Sequence, residues 1–333
     1  PKRPALVFGV LIGLPLLLIA CPRNENKPDG GRVGMSQKSV AVATPTPFPA
    51  SFNGERAMDH VRKQVEIGPR VAGSPEAAKT REYIVNQLKS YGLAVSTDEF
   101  TATTPLGEKK MTNITAEIAG ETKDVIMFGS HYETKFYKDM LFVGANDPGS
   151  SVAALLELGR VLATHPKPKS TYRLVFFDGE EAFCEGWDDC GKPDAPDNTY
   201  GSRHYVAQLK KKNELDQVRA LILLDMIGYK NLQLGRDTLS TKWLQDIIWQ
   251  TGHHLGHGSV FVNTPEGVGG DDHVPFLKAG IDSVDLIQLN GYPHWHKADD
   301  TIDKVSAQSL KIVGDAVLAS LPRIEERLSS KRR

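Results

Sequence analysis

The run Tyr172-Arg-Leu-Val-Phe-Phe-Asp-Gly-Glu-Glu-Ala-Phe183 constrains the fold more than any other segment. Leu174 to Phe177 is continuously apolar, as in a strand buried on both faces of a parallel sheet. Asp178-Gly179 then breaks the strand. Glu180 and Glu181 therefore fall beyond its carboxyl end, where open α/β sheets place their chemistry. Neighbours in extended chain point opposite ways, so one carboxylate can hold a metal while the next faces substrate as a base. Taken alone, a Glu-Glu pair on a loop reads as solvated surface.

Other runs repeat the pattern. Asp124-Val-Ile-Met-Phe-Gly-Ser-His131 ends in His131, and Ala220-Leu-Ile-Leu-Leu-Asp225 ends in Asp225. Ser283-Val-Asp-Leu-Ile-Gln288 leads through a Gly/Pro loop to Trp295-His296. Asp147 lies just before the apolar stretch Val152 to Leu162. Singly, each has a plainer reading: a satisfied core histidine, an N-cap at Asp147, a buried carboxylate at Asp225. Together they form a hard nitrogen/oxygen set suited to Zn2+ at one or two centres.

Amphipathic spacing predicts helices at Glu55–Glu66, Pro75–Tyr91, Val152–Ala163, Ser202–Lys211, Thr241–Gly252 and Ser306–Arg327. Strands at 93–104 and 109–118 form a hairpin around Pro105-Leu-Gly107. Core strands are expected at 123–129, 171–177, 219–225, 259–262 and 283–288. This alternation, running from residue 51 to 333 without a second linker, reads as one α/β domain large enough for a full core.

Residues 1–21 read as a lipoprotein-type export signal. Lys2-Arg3 precede an apolar run from Ala5 to Ala20, and Leu18-Ile19-Ala20-Cys21 fits a site at which Cys21 is lipidated. A simple uncleaved anchor is the alternative. Residues 22–50, with Thr44-Pro-Thr-Pro-Phe-Pro49, read as a flexible tether. The expected location is the bacterial periplasm or cell envelope, with the membrane engaged only through the lipid at Cys21. Cys184 and Cys190 bracket Trp187 and, in an exported protein, read as a disulfide stapling that loop. A metal pair is the alternative, without a nearby His to complete it. The net charge of −1 gives no support to a nucleic-acid partner, and a monomer is the default expectation.

The order His131, Asp147, Glu180-Glu181, Asp225, His296 resembles the zinc aminopeptidase clan. Gly129-Ser-His-Tyr-Glu-Thr-Lys135, Phe176-Phe-Asp-Gly-Glu-Glu-Ala-Phe183, Asp271-Asp-His-Val-Pro-Phe276 and Trp295-His296 are most similar to animal-type glutaminyl-peptide cyclotransferases. The resemblance spans roughly residues 50 to 325. It implies a three-layer α/β/α fold with a mixed, mostly parallel sheet of the phosphorylase/hydrolase-like type. It implies cyclisation of N-terminal glutamine, slowly glutamate, of peptides and proteins to pyroglutamate, with release of ammonia. One Zn2+ would be held by Asp147, Glu181 and His296. Glu180, Asp225 and Asp271 would be catalytic, with Asp225 and Asp271 paired carboxyl to carboxyl, and Trp187, Trp295 and Lys135 would contact substrate. A two-zinc aminopeptidase, with His131 and Asp225 on the second ion, is the alternative. A catalytically dead binding module on the same fold is a third reading, opposed by retention of every acid, base and ligand position. The chain departs from the animal pattern at Ser130 and Ser151, where a cysteine pair is absent, and at Asp285, which replaces a His. The stretch between Glu181 and Trp187 is one residue longer than in those enzymes, and the loop before Trp295 is shorter.

Overall fold

A computed structural model describes residues 51–164 and 167–330. The signal, the tether and Cys21 lie outside the described residues. Seven helices and ten strands are found among those described: α1 Gly54–Ile67, α2 Pro75–Ser90, β1 Ala94–Thr104, β2 Gly107–Ile118, β3 Val125–His131, α3 Gly149–Leu162, β4 Thr171–Phe177, β5 Gly191–Lys192, β6 Ala195–Pro196, α4 Tyr200–Lys211, β7 Val218–Leu224, β8 Leu234–Asp237, α5 Lys242–His254, β9 Phe261–Glu266, α6 His273–Lys278, β10 Ser283–Leu286 and α7 Ala307–Ser330.

Six strands form one sheet in the order β1-β2-β4-β3-β7-β10. The last four run parallel, and the long β1–β2 hairpin joins antiparallel through β2. Alternation along the pleat sorts the side chains into two layers. Ile126, Phe128, Leu174, Phe176, Ile222 and Leu224 face one core, shared with α1, α2, α3, α5 and α7. Met127, Val175, Phe177, Leu221 and Leu223 face the other, against Tyr205 and Leu209 of α4 and Phe276 of α6. Both faces of the parallel strands are thus covered, which is why β3, β4 and β7 read as unbroken apolar runs.

Two expectations are corrected. The segment at 259–262 does not join the central sheet: β9 pairs with β8, an element absent from the sequence reading, in a separate ribbon. α6 was also unforeseen, since six residues with an internal proline carry little periodic signal.

Candidate active site

The carboxyl edge of the parallel strands gathers the expected residues. His131 is the last residue of β3, and Asp225 follows β7 directly. After β4 the chain turns at Gly179 with φ of 76°, and a Cβ there would lie 2.6 Å from the Met111 sulfur. Only glycine fits this turn, and the turn delivers Glu180 and Glu181 into the crevice. Asp147 stands two residues before α3. Its carboxylate caps nothing: α3 has no side-chain cap. Two non-glycine residues of the edge, Met226 (φ 46°) and His296 (φ 55°), are held in the left-handed region, as is frequent at functional sites.

Asp147 is the hub. Its Oδ1 lies 3.3 Å from His131 Nε2, and its Oδ2 lies 3.4 Å from His296 Nε2. His296 Nε2 also meets Glu181 Oε1 at 3.0 Å, and His131 Nε2 meets Asp225 Oδ1 at 3.2 Å. Two triads result, Asp147–Glu181–His296 and His131–Asp147–Asp225, each with its ligand atoms within 4.8 Å of one another. Glu180 turns the other way, its Oε2 3.8 Å from His131 Nδ1.

Burial dominates the electrostatics. It pushes the Glu180 carboxyl well above the usual carboxylate range, aided by the charges of Asp271, Glu181 and Asp272 against the opposing pull of His131. Burial likewise lifts Asp225 to about 7, against His131. Asp147 goes the other way: burial would raise it, but hydrogen bonds with His131 and His296 hold it low.

The expected Asp225–Asp271 carboxyl pair is not formed as a hydrogen-bonded pair. Asp225 bonds to His131, and Asp271 faces Asp285 instead, with the carboxyl oxygens of both within 4.8 Å of His273. Ionised carboxylates only accept hydrogen bonds, so Asp271 and Asp285 can bond only when one of them is protonated. Burial raises both, Asp285 well above the usual range. Asp225 and Asp271 act on each other through charge alone. Asp285 thus sits behind the site as the carboxyl neighbour of Asp271.

Lys135 is the second correction. Its Nζ donates to the carbonyls of Ala182 (2.8 Å) and Cys184 (3.0 Å) and lies 4.0 Å from Glu181 Oε2. It is buried beneath the Glu-Glu segment and positions it from behind, away from the substrate cavity. Trp187 and Trp295 do line a cavity of about 200 Å3, together with Asp147, Glu180, Glu181, Asp225, Asp271 and His296. Trp295 stacks on the His296 ring at 4.2 Å. Cys184 and Cys190 are joined, closing the loop that carries Trp187.

Three positioning residues escaped the sequence reading. Glu133 is buried, and its Oε1 accepts from the backbone N–H of Glu180 (2.6 Å) and of Glu181 (3.0 Å). Asp300 accepts from the N–H of Asn146 (2.9 Å) and Asp147 (3.1 Å) and from the Tyr292 hydroxyl (2.6 Å). The fully buried Arg70 guanidinium donates to the Val143 and Gly144 carbonyls, pinning the loop before Asp147. Glu133 had a local signal, lying two residues from His131. Asp300 and Arg70 had none, because their partners are distant in sequence.

The model of peptidase family M28 matches residues 113–321. A glutaminyl-peptide cyclotransferase of Drosophila melanogaster is 28% identical over 290 residues, covering 76% of this chain and 78% of its own length. The crystal structure of an Acidobacteriales bacterium glutaminyl cyclase superposes with a TM-score of 0.78 at 38% identity, covering 86% of this chain and 99% of that one. The chain belongs to the glutaminyl cyclases of peptidase family M28. A leucine aminopeptidase precursor from Bacteroides thetaiotaomicron shares the fold as well, with a TM-score of 0.75 and 26% identity over 81% of this chain and 97% of that one.

For a glutaminyl cyclase of this family, the donor set fits a zinc-type ion. Asp147, Glu181 and His296 bring two acceptor-only carboxylates and one imidazole edge to a common point. Such convergence of nitrogen and oxygen donors is what a hard divalent cation requires.

Proposed function

We propose that this chain binds the N-terminal glutamine of peptides and proteins in the 200 Å3 cavity and closes it to pyroglutamate, releasing ammonia; N-terminal glutamate reacts slowly. One observation carries this reading. The acid–base candidate Glu180, the triad Asp147–Glu181–His296 and two tryptophans line a single cavity sized for one side chain.

In the reaction the α-amine nitrogen bonds to the γ-carbonyl carbon, and the bond from that carbon to the amide nitrogen breaks. A zinc ion held by Asp147, Glu181 and His296 would supply polarisation of the γ-carbonyl. Glu180 takes the proton lost by the α-amine and returns it to the departing nitrogen. Its burial raises its proton affinity well above that of an ordinary carboxylate, which suits a group that must hold the proton in transit. Asp225 and Asp271, on the cavity floor, hold the amine and amide hydrogens as acceptors. Trp295, stacked on His296, orients the amide as one wall, and Trp187 forms the other. In this reading His131 and Asp225 serve as a hydrogen-bonded pair beside the ion.

The same proposal includes an exported, lipid-anchored protein, with residues 1–21 as signal, Cys21 as the lipid site and residues 22–50 as tether to the catalytic domain 51–333. The Cys184–Cys190 bond supports an oxidising compartment.

A coupled ammonia-release assay on Gln-Phe, run beside Leu-p-nitroanilide, tests the reading. Ammonia with the peptide bond intact, lost in Glu180→Gln by about 10²- to 10⁴-fold and abolished by chelator, is the expected result. Anilide cleavage without ammonia would establish a two-zinc aminopeptidase instead.

A further inference from the structure

A second cavity, about 650 Å3, adjoins the catalytic one. Trp187, Asp188, Gly269, Gly270 and Asp271 line both. Its outer wall is the turn of the β5–β6 hairpin, Lys192 to Asp194, and its opposite wall is α6 at Val274 and Lys278. The catalytic cavity takes one residue, so every later residue of a substrate must leave it along some path.

Trp187 divides the two spaces as a fixed partition. Its carbonyl accepts from Asn198 Nδ2 at 3.1 Å, and the Cys184–Cys190 bond closes its loop. Gly270 lets the indole lie against bare backbone, since a Cβ there would meet Trp187 Nε1 at 3.2 Å. In the strip Gly267-Val-Gly-Gly270, Gly269 and Gly270 edge both cavities and Val268 edges the catalytic one. Among the described residues, no hydrogen bond engages the main-chain N–H or C=O of these four positions. Such a strip can pair with an extended chain, as sheet edges do when peptides add to them. Charges of both signs, Lys192 and Lys278 with Asp188 and Asp194, ring the cleft and favour no one side-chain type.

We propose that this cleft is a subsite for the substrate main chain after the N-terminal glutamine, bound in extended form along Gly267–Gly270. The inference rests on the cyclase reading and refines it: the substrate class is polypeptide N-termini several residues long, read by backbone and tolerant of sequence. About three residues of extended chain, at roughly 3.3 Å each, span such a strip.

The test is ammonia release across a neutral length series from Gln-Ala-amide to Gln-(Ala)₅-amide. Two main-chain hydrogen bonds of ordinary net strength correspond to a rise in kcat/KM of about tenfold along the series. Val274→Trp, which fills the cleft, is expected to reduce the longest peptide to the dipeptide level while leaving the dipeptide unchanged. Lys278→Trp, on the rim, repeats the test should Val274→Trp fail to fold. A flat series in the unmodified protein overturns the subsite, as does an equal loss on dipeptide and hexapeptide in both variants. Absence of ammonia from every peptide instead refutes the cyclase reading beneath it.

Discussion

Replacing Glu133 tests whether the Glu-Glu segment is held from below. Its Oε1 is the acceptor for two consecutive backbone N–H groups, those of Glu180 and Glu181. Glu133 is 1% exposed and the two residues it caps are each 5% exposed, so water cannot replace the lost acceptor without entering the fold. Glu133→Ala leaves two buried donors unpaired, each costing about 1–3 kcal/mol, or about 2–6 kcal/mol together. That is a large share of the roughly 5–15 kcal/mol that holds a domain folded. Glu133→Gln retains an amide oxygen able to accept both bonds and loses only the charge 3.7 Å from His131 Nδ1, so its cost is expected near 1 kcal/mol. Activity should separate the variants further. Ala frees the segment carrying both the proposed acid–base group and a proposed ligand, and displacement of about 1 Å can cost on the order of 100-fold. Urea unfolding gives the stability difference, and kcat from ammonia release gives the other. Equal behaviour of the Ala and Gln variants, or an Ala variant within about 0.5 kcal/mol of the unmodified protein, would refute the argument.

Three further outcomes follow from particular contacts. Removing the metal withdraws a ligand bound only by the folded chain, worth about 4 kcal/mol at a thousandfold excess over Kd, so the melting midpoint should fall by on the order of 10 °C; calorimetry with chelator and a metal assay checks this, and an unchanged midpoint after verified loss contradicts it. His60 is held down to about 4 by burial, against the charge of Glu157. The fold therefore favours neutral imidazole, a contribution of about 3 kcal/mol that is complete above about 6.5 and lost as pH falls towards 4. Stability measured against pH should drop less steeply over that window in His60→Gln, and parallel curves would exclude the effect. Gly252→Ala should destabilise by about 1–3 kcal/mol despite its better helix propensity, because the new Cβ would sit 2.2 Å from the Phe261 ring in the core; a raised urea midpoint would show that the ring gives way.

The legible parts were those coded by neighbours in the chain. Leu174–Phe177 announced a strand buried on both faces, and the breaker Asp178-Gly179 placed Glu180 and Glu181 beyond its end. His131 and Asp225 were legible for the same reason, each closing an apolar run, and His296 follows the run 283–288 through a Gly/Pro loop. What failed was pairing across the fold. Lys135 stands beside His131 in sequence, but the carbonyls that claim it belong to Ala182 and Cys184. Asp271 and Asp225 were matched by family pattern, whereas in this chain the Asp at 285 brings a new carboxyl to Asp271. The segment 259–262 read as a core strand, yet the strand formed there, β9, has exposed middle residues and pairs with the short β8.

The triad at residues 147, 181 and 296 draws its members from three widely spaced stretches, each set by a different strand or loop of the sheet edge. No contiguous fragment of the chain short of most of the domain contains all three. An ion at that point would therefore clasp the domain only once the last loop, after β10, has come home. Metal uptake at that point would then serve as a clock for folding: a chain whose last loop has not yet packed would present only two of the three ligands, however well its early strands had formed.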